Sequence, residues 1–220
     1  MGTGSTFERA RRPAQKEERR AAVLSAAGRL FDARGVDGTT LSAVAREVGL
    51  AKSNLYRYFE SREAILMQLY VDEFEAWSLS VGEAMRPLHD TDDCDGVVDA
   101  LVRSMVDRRR LVELSVAVAA VLEHNVGEDT VIQAKRGNRR WISAMAESLL
   151  AALPSLSIGR IQRFLWHFCA HAIGAWPDAN PSEVVQRVQA RPEFAETCID
   201  FEDMLRDHGL ILLRGLTAES

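Results

Sequence analysis

The sequence predicts an all-α protein, with a small three-helix N-terminal domain followed by a larger helical one. Three observations predict it. Apolar residues recur every three to four positions along most of the chain, the spacing that gathers side chains on one helical face. No stretch sustains a period-two alternation, so no sheet is expected. Gly35, Gly49, Pro87, Pro154 and Pro177 fall where the periodic stretches stop, as helix terminators do.

The chain opens with residues 1–15, whose Gly, Ser, Thr, Arg and Pro read as a disordered arm. Residues 17–34 form a helix with Val23, Ala27, Leu30 and Phe31 as its stripe, ended by Gly35. Thr39 or Thr40 caps the second helix, in which Leu41, Val44, Ala45 and Val48 take positions i, i+3, i+4 and i+7. Gly49 follows where a helix C-terminus needs a left-handed residue. The third helix is expected over residues 52–59. Leu55 and Phe59 sit four apart and bury together, which leaves Lys52, Ser53, Asn54, Tyr56, Arg57 and Tyr58 outside. Ala51 offers this helix no capping oxygen, so Ser53 or packing alone must start it. Two short helices around a tight turn, the second exposed and rich in donors, make a helix-turn-helix suited to a DNA major groove. Residues 16–60 are the first domain.

Residues 61–220 form the second. Ser61 caps a long helix over residues 62–85, whose buried side is Ile65, Leu66, Leu69, Tyr70, Phe74 and Trp77. It leaves the first domain for the second and is the natural lever between them. Pro87 and the acidic run from His89 to Asp95 read as a solvated loop. Further helices are expected over residues 96–110, 111–125, 129–153, 158–176, 182–190 and 192–216.

Composition agrees. Hydrophobic residues make up 47% of the 220, ample for a buried core, and no apolar run reaches the length of a membrane span. The net charge of −5 looks wrong for a DNA binder until it is divided. Through Glu60 there are 11 Lys and Arg against 7 Asp and Glu, and the surplus of acid lies beyond. A basic head on an acidic body suits phosphate binding, because steering acts through the local field. Cys94, Cys169 and Cys198 are odd in number and widely spaced, and no signal peptide is visible, so a reduced cytoplasmic setting is expected.

At residues 17–69 the chain resembles the DNA-binding domain of TetR-type transcriptional repressors. The matching pieces are AAGRLFDARGVDGTTLSAVAREVG and LAKSNLYRYFESREAIL. The specific marks are L-Y-x-x-F and a helix start like S-[KR]-E-x-L, with Ile65 in place of the last Leu, placed after G-x-x-x-T-[TS]. The remaining two thirds resemble the family only in length and helical character. The resemblance implies a dimeric repressor that reads a near-palindromic operator and is released by a small-molecule effector. Lys52, Ser53, Asn54 and Arg57 would then lie near base edges, while Thr39 or Thr40, Tyr56, Tyr58 and Arg62 would hold phosphates. For Arg62 a plain surface charge is the equal alternative. Arg9, Arg11 and Arg12 have the charge to enter a minor groove, but a solvated tail is preferred.

In the family two long C-terminal helices from each partner build a four-helix dimer interface. Here the expected face is Ile161, Leu165, Phe168 and Ala172 on one helix, and Phe201, Met204, Leu205 and Leu212 on the other. A largely apolar effector pocket is expected among Trp77, Met105, Trp141, Met145, Phe164 and Trp166. His124, Asn125, His167 and His171 would orient the ligand there. Each of these residues alone is ordinary core. His167 and His171 share a helix face at metal-ligand spacing but lack the glutamate of H-E-x-x-H, so no metal or cofactor is expected. The arginines at 108–110 and the basic cluster at 135–140 have the charge to hold an anionic effector such as an acyl thioester, but solvated faces making local ion pairs are the preferred reading. A helical enzyme is disfavoured because no phosphate loop, nucleophile elbow or paired carboxylate in an apolar setting is present. A helical interaction protein, its helix-turn-helix purely structural, is disfavoured by the basic head and the exposed Lys52, Tyr56 and Arg57.

Overall fold

A computed structural model describes residues 4–120 and 122–218, and every regular element among them is helical. In order they are α1 (Gly4–Gly38), α2 (Leu41–Glu47), α3 (Lys52–Leu55), α4 (Arg62–Met85), α5 (Cys94–Val106) and α6 (Arg109–Ala120). There follow α7 (Glu128–Ala152), α8 (Ile158–Ala179), α9 (Glu183–Gln189) and α10 (Phe201–Ala218). The all-α expectation holds. α1 reaches back to Gly4, into the stretch expected to be an arm, because residues around Ala10 and Ala14 are good helix formers on either side of Pro13. The side chains of Arg9, Arg11 and Arg12 lie outside the described residues. At Gly35 the backbone takes φ 64° and ψ −164°, a conformation that only glycine adopts at low cost, and α1 breaks there as expected.

The chain divides into two compact units. One holds the residues through Tyr70 together with Ala117–Ala134; the other holds Val71–Val116 and everything from Lys135 onward. This division falls after the first turns of α4, and a distant segment joins the N-terminal unit. Glu60 supplies a reason. Its carboxylate accepts from the Gly127 backbone N–H at 3.1 Å and from the Thr130 hydroxyl at 2.8 Å.

The core of the first unit is Val23, Ala26, Ala27, Leu30, Ala43, Val44, Ala45, Leu55, Phe59 and Ile65, with Leu41 and Val48 packed at its edge. Apart from Phe31, which is buried elsewhere, the stripes expected on the first three helices therefore meet in one cluster. Ser61 accepts from the Ala64 N–H at 3.0 Å and caps α4.

In the second unit α10 packs on α8 and on α5. Gly209 makes the approach to α5 close: a Cβ there would sit 2.9 Å from Val98 Cγ1 and 3.5 Å from Phe168 Cε2. Arg206 pairs with Asp99, and Arg214 pairs with Asp95 at 2.7 Å, so both arginines of α10 fasten it to α5. Trp77 on α4 is fully buried and donates through Nε1 to Ser104 Oγ at 2.9 Å.

Beyond α4 several elements differ from expectation. The acidic loop is tied down: the Asp90 and Asp92 N–H groups donate to the Ala151 and Ala152 carbonyls at 2.8 and 3.0 Å, and Asp92 accepts from the Ser155 hydroxyl. Asp93 then accepts from the Gly96 N–H and starts α5 at Cys94, two residues early. α8 continues through Pro177, since a proline in a last turn forfeits only one hydrogen bond before the helix ends. The expected final helix splits into a 3-10 turn at Pro192–Thr197 and α10, because Asp200 accepts from the Asp203 N–H and makes a fresh start.

Candidate nucleic-acid interface

The third helix is shorter than its sequence suggests. α3 spans only Lys52–Leu55, its N-cap Ala51 makes no side-chain bond, and the chain then coils through Tyr56 and Arg57. The Tyr58 N–H donates to the Leu55 carbonyl at 2.8 Å, and that of Phe59 donates to the same carbonyl at 3.0 Å. With no side-chain cap at its start, packing holds this turn: Leu55 is fully enclosed and Phe59 nearly so. Around that anchor Lys52, Ser53, Asn54, Tyr56 and Arg57 are exposed, and Tyr58 is half-buried. Tyr56 shows 53% of its surface, although aromatic rings are ordinarily covered.

The two threonines before α2 separate cleanly. Thr40 is exposed and accepts from the Ala43 N–H at 3.1 Å, as an N-cap does. Thr39 is buried and its hydroxyl donates to the Gly35 carbonyl at 2.8 Å, so it braces the break in α1 and has no surface for a phosphate. Gly49 has φ +66°, the left-handed conformation its position required. Arg62 is half-buried and pairs with Glu63 at 2.8 Å.

A residue the sequence reading missed supports this surface. Arg20 on α1 donates from Nη1 to the Tyr58 carbonyl at 3.2 Å and from Nη2 to Gln68 Oε1 at 2.7 Å. Its guanidinium also lies 4.3 Å from the Phe59 ring centroid. One side chain thereby ties α1, the Lys52–Phe59 turn and α4 together. Its signal was a cation at i−3 and i−7 from Val23 and Ala27, on the apolar stripe. Arg29 similarly pairs with Glu47 at 2.8 Å and links α1 to α2.

The expected effector residues fall into different settings. Trp77, Met105, Met145 and Phe164 are enclosed in the second unit, whereas His124 and Asn125 are exposed and belong to the first. Trp141 is half-buried; the Arg140 guanidinium lies 4.3 Å from its ring, and its indole Nε1 is enclosed with no acceptor among the described residues. Trp166, expected in the pocket, is exposed on the surface of α8 instead of enclosed; His167 is exposed too, while His171 stacks on His208 of α10 with ring centroids 3.7 Å apart. Among the described residues no group of three or more His, Cys, Asp or Glu is arranged to hold a metal ion.

The expected dimer face needs correction. Ile161, Leu165, Phe168, Ala172 and Leu205 are enclosed within the single chain, and Phe201 is nearly so, packed edge-on against Trp176. They join α8 to α10 and leave no surface for a partner. Met204 and Leu212 are half-buried. The outward stripe of α8 is instead Trp166, Ala170 and Gly174, and that of α10 is Met204, Ile211 and Gly215. The stacked His171 and His208 set these two stripes side by side.

Two family models cover nearly the whole described chain. Residues 23–69 match the model described as bacterial regulatory proteins, tetR family, and residues 71–220 match the tetracyclin repressor-like C-terminal domain. The chain belongs to the TetR family. It is thus an all-α transcriptional regulator of a family of DNA-binding proteins that dimerise and bind small-molecule effectors. Solved structures share the fold of this TetR-family chain. The fatty acid degradation regulator FadR from Bacillus halodurans is 14% identical with a TM-score of 0.58, over 90% of this chain and 95% of its own. FadR from Bacillus subtilis, solved with stearoyl-CoA, is 12% identical with a TM-score of 0.57, over 89% and 98%. A TetR-family regulator from Rhodococcus sp. is 20% identical with a TM-score of 0.56, over 91% and 99%. No curated protein sequence matches. No helix among the described residues is long and apolar enough to cross a membrane.

Proposed function

We propose that this TetR-family protein is a dimeric repressor that reads a near-palindromic operator through the turn at Lys52–Phe59 and releases it when an effector binds the C-terminal domain. The observation that carries this reading is the exposed ring of Lys52, Ser53, Asn54, Tyr56 and Arg57 around the buried Leu55–Phe59 anchor. Lys52, Ser53, Asn54 and Arg57 take base edges; Thr40, Tyr56, Tyr58 and Arg62 take phosphates and set the register. For Arg62 this means exchanging Glu63 for the backbone. A dimer places two such turns about 34–36 Å apart, one turn of DNA. Its seam is Trp166, Ala170 and Gly174 of α8 against Met204, Ile211 and Gly215 of α10. Gly174 and Gly215 face open space in the single chain, since a Cβ there would meet nothing within 4 Å, and their small size leaves room for a partner's backbone.

The effector is largely apolar with at least one acceptor oxygen. The enclosed indole N–H of Trp141 supports the second half, since a buried donor without a partner costs about 1–3 kcal/mol that a ligand's oxygen recovers. Stearoyl-CoA, the ligand of the Bacillus subtilis neighbour, is the first compound to try.

The test is binding of the purified protein to the DNA upstream of its own coding sequence, titrated at several salt concentrations. Sub-micromolar binding with a steep salt slope and protection of a two-fold-symmetric site is expected. Absence of binding at low salt would sink the DNA reading and leave the C-terminal domain as the working part.

A further inference from the structure

The exposed large hydrophobic residues are unevenly spread. Among the described residues all except Tyr56 and Leu79 lie between Ile158 and Ile211. Ile158, Trp166 and Ile211 are on α8 and α10, and the other five, Val184, Val185, Val188, Phe194 and Ile199, are on the excursion that joins those helices. This excursion is folded. Gln186 donates to the Pro181 carbonyl at 2.8 Å, Gln189 to the Thr197 carbonyl at 3.2 Å, and α9 packs on the 3-10 turn that follows it. Yet α9 buries none of its residues. Seven residues make a helix too short to persist in water on its own propensity, and its valines face outward from their own chain. Beside it an open cleft of about 310 Å³ lies between Pro177, Pro181, Val185 and Ile199.

We propose that this excursion, residues 180–200, packs against a second copy of the chain and extends the α8–α10 seam into a clasp. The inference rests on the dimeric reading above. Area selects the occupant. A stable dimer buries about 800 Å² per partner, and the seam alone offers Trp166 and Ile211 as its large exposed apolar side chains, with Met204 and Leu212 at its edges. The five side chains of the excursion supply the apolar surface the seam lacks. Continuity agrees: the excursion leaves from the last turn of α8 and returns at the first residue of α10, so a copy seated on those helices meets its roots.

Sedimentation equilibrium of the full chain tests this, with Val184→Asp/Val188→Asp as the variant and Ile211→Asp as the seam control. Both valines are exposed, so the variant is expected to keep its circular dichroism while its dimer dissociation constant rises about tenfold or more. An unchanged constant, with Ile211→Asp still dissociating the dimer, overturns the clasp and leaves the seam standing. A wild-type protein that is monomeric at tens of micromolar overturns both. If the aspartates cost helicity, Val184→Ser/Val188→Ser asks the same question with the same two outcomes.

Discussion

Arg20→Ala is the substitution that most directly tests how the recognition turn is held. The turn has no side-chain cap at its start, and only four of its residues are regular helix. Arg20 therefore supplies support that the turn cannot supply itself. Its loss removes the bonds to the Tyr58 carbonyl and to Gln68, and uncovers the Phe59 ring. Hydrogen bonds from a charged donor contribute about 1.5 kcal/mol each at the low end suited to a part-buried site. A cation over an aromatic face adds about 0.5 kcal/mol when water reaches it. The sum is about 3.5 kcal/mol, reduced to about 2–3 kcal/mol once water replaces the lost donors. At about 2–4 °C per kcal/mol for a chain of this size, the melting midpoint should fall by about 5–10 °C. Operator affinity at 20 °C, read by fluorescence anisotropy, should weaken about tenfold, because part of the binding energy must reorder the turn. Arg20→Lys keeps the charge but not the fork, and should recover less than half of each effect. A melting shift under about 1 °C together with unchanged operator binding would refute the bracing argument.

Four further outcomes follow from named contacts. Asn54→Ala should relax discrimination at one operator position by about 1–3 kcal/mol, whereas Tyr56→Ala should weaken all sequences alike; a binding panel of single-base operator variants separates them, and identical profiles would contradict the assigned roles. Burial holds the His171 and His208 imidazoles below their ordinary 6.5, and for His208 the facing His171 and His167 push the same way. The unfolded chain then binds the extra protons first, so stability should fall as pH drops below about 6.5 and level off beneath the folded values; melting curves between pH 7.5 and 5 should show this, and His171→Phe/His208→Phe should flatten them. Gly209→Ala gains about 1 kcal/mol of helix propensity. It also forces a Cβ to 2.9 Å from the fully buried Val98, so overpacking of about 1–3 kcal/mol should win and lower the melting midpoint. Glu60→Ala should speed amide exchange at residues 127–131, where the Gly127 and Thr130 donors lose their acceptor, and equal protection in both proteins would remove the clamp from the account.

Periodicity read the helices well because each carries its own pattern. Val23, Ala27, Leu30 and Phe31 are each buried, and so are Ile65, Leu66, Leu69, Tyr70, Phe74 and Trp77 along α4. The exposed ring of the recognition turn was legible for the same reason, since two anchors four residues apart fix which side faces out. What periodicity cannot do is say what an apolar face is packed against. Ile161, Leu165 and Phe168 read as a dimer face, but their own chain covers them, and the outward stripe through Trp166 carries Ala170 and Gly174, which register weakly on any apolar scale. The adjacent hydroxyls of Thr39 and Thr40 were likewise inseparable until the break at Gly35 turned one inward.

The residues that hold the candidate interface are illegible for a different reason. Arg20 reaches partners 38 and 48 positions away, and Glu60 reaches one 70 away, and nothing in the local pattern of either end announces such a pair. The groups proposed to touch DNA can be read locally because their only demand is exposure on a short, anchored turn. Those that keep the turn in place must bond across the fold, so they become visible only when the chain is closed. Arg20 is the partial exception, since a cation lying on an apolar stripe is worth questioning before any coordinates exist: its stem can pack with the stripe while its head seeks acceptors on a neighbour.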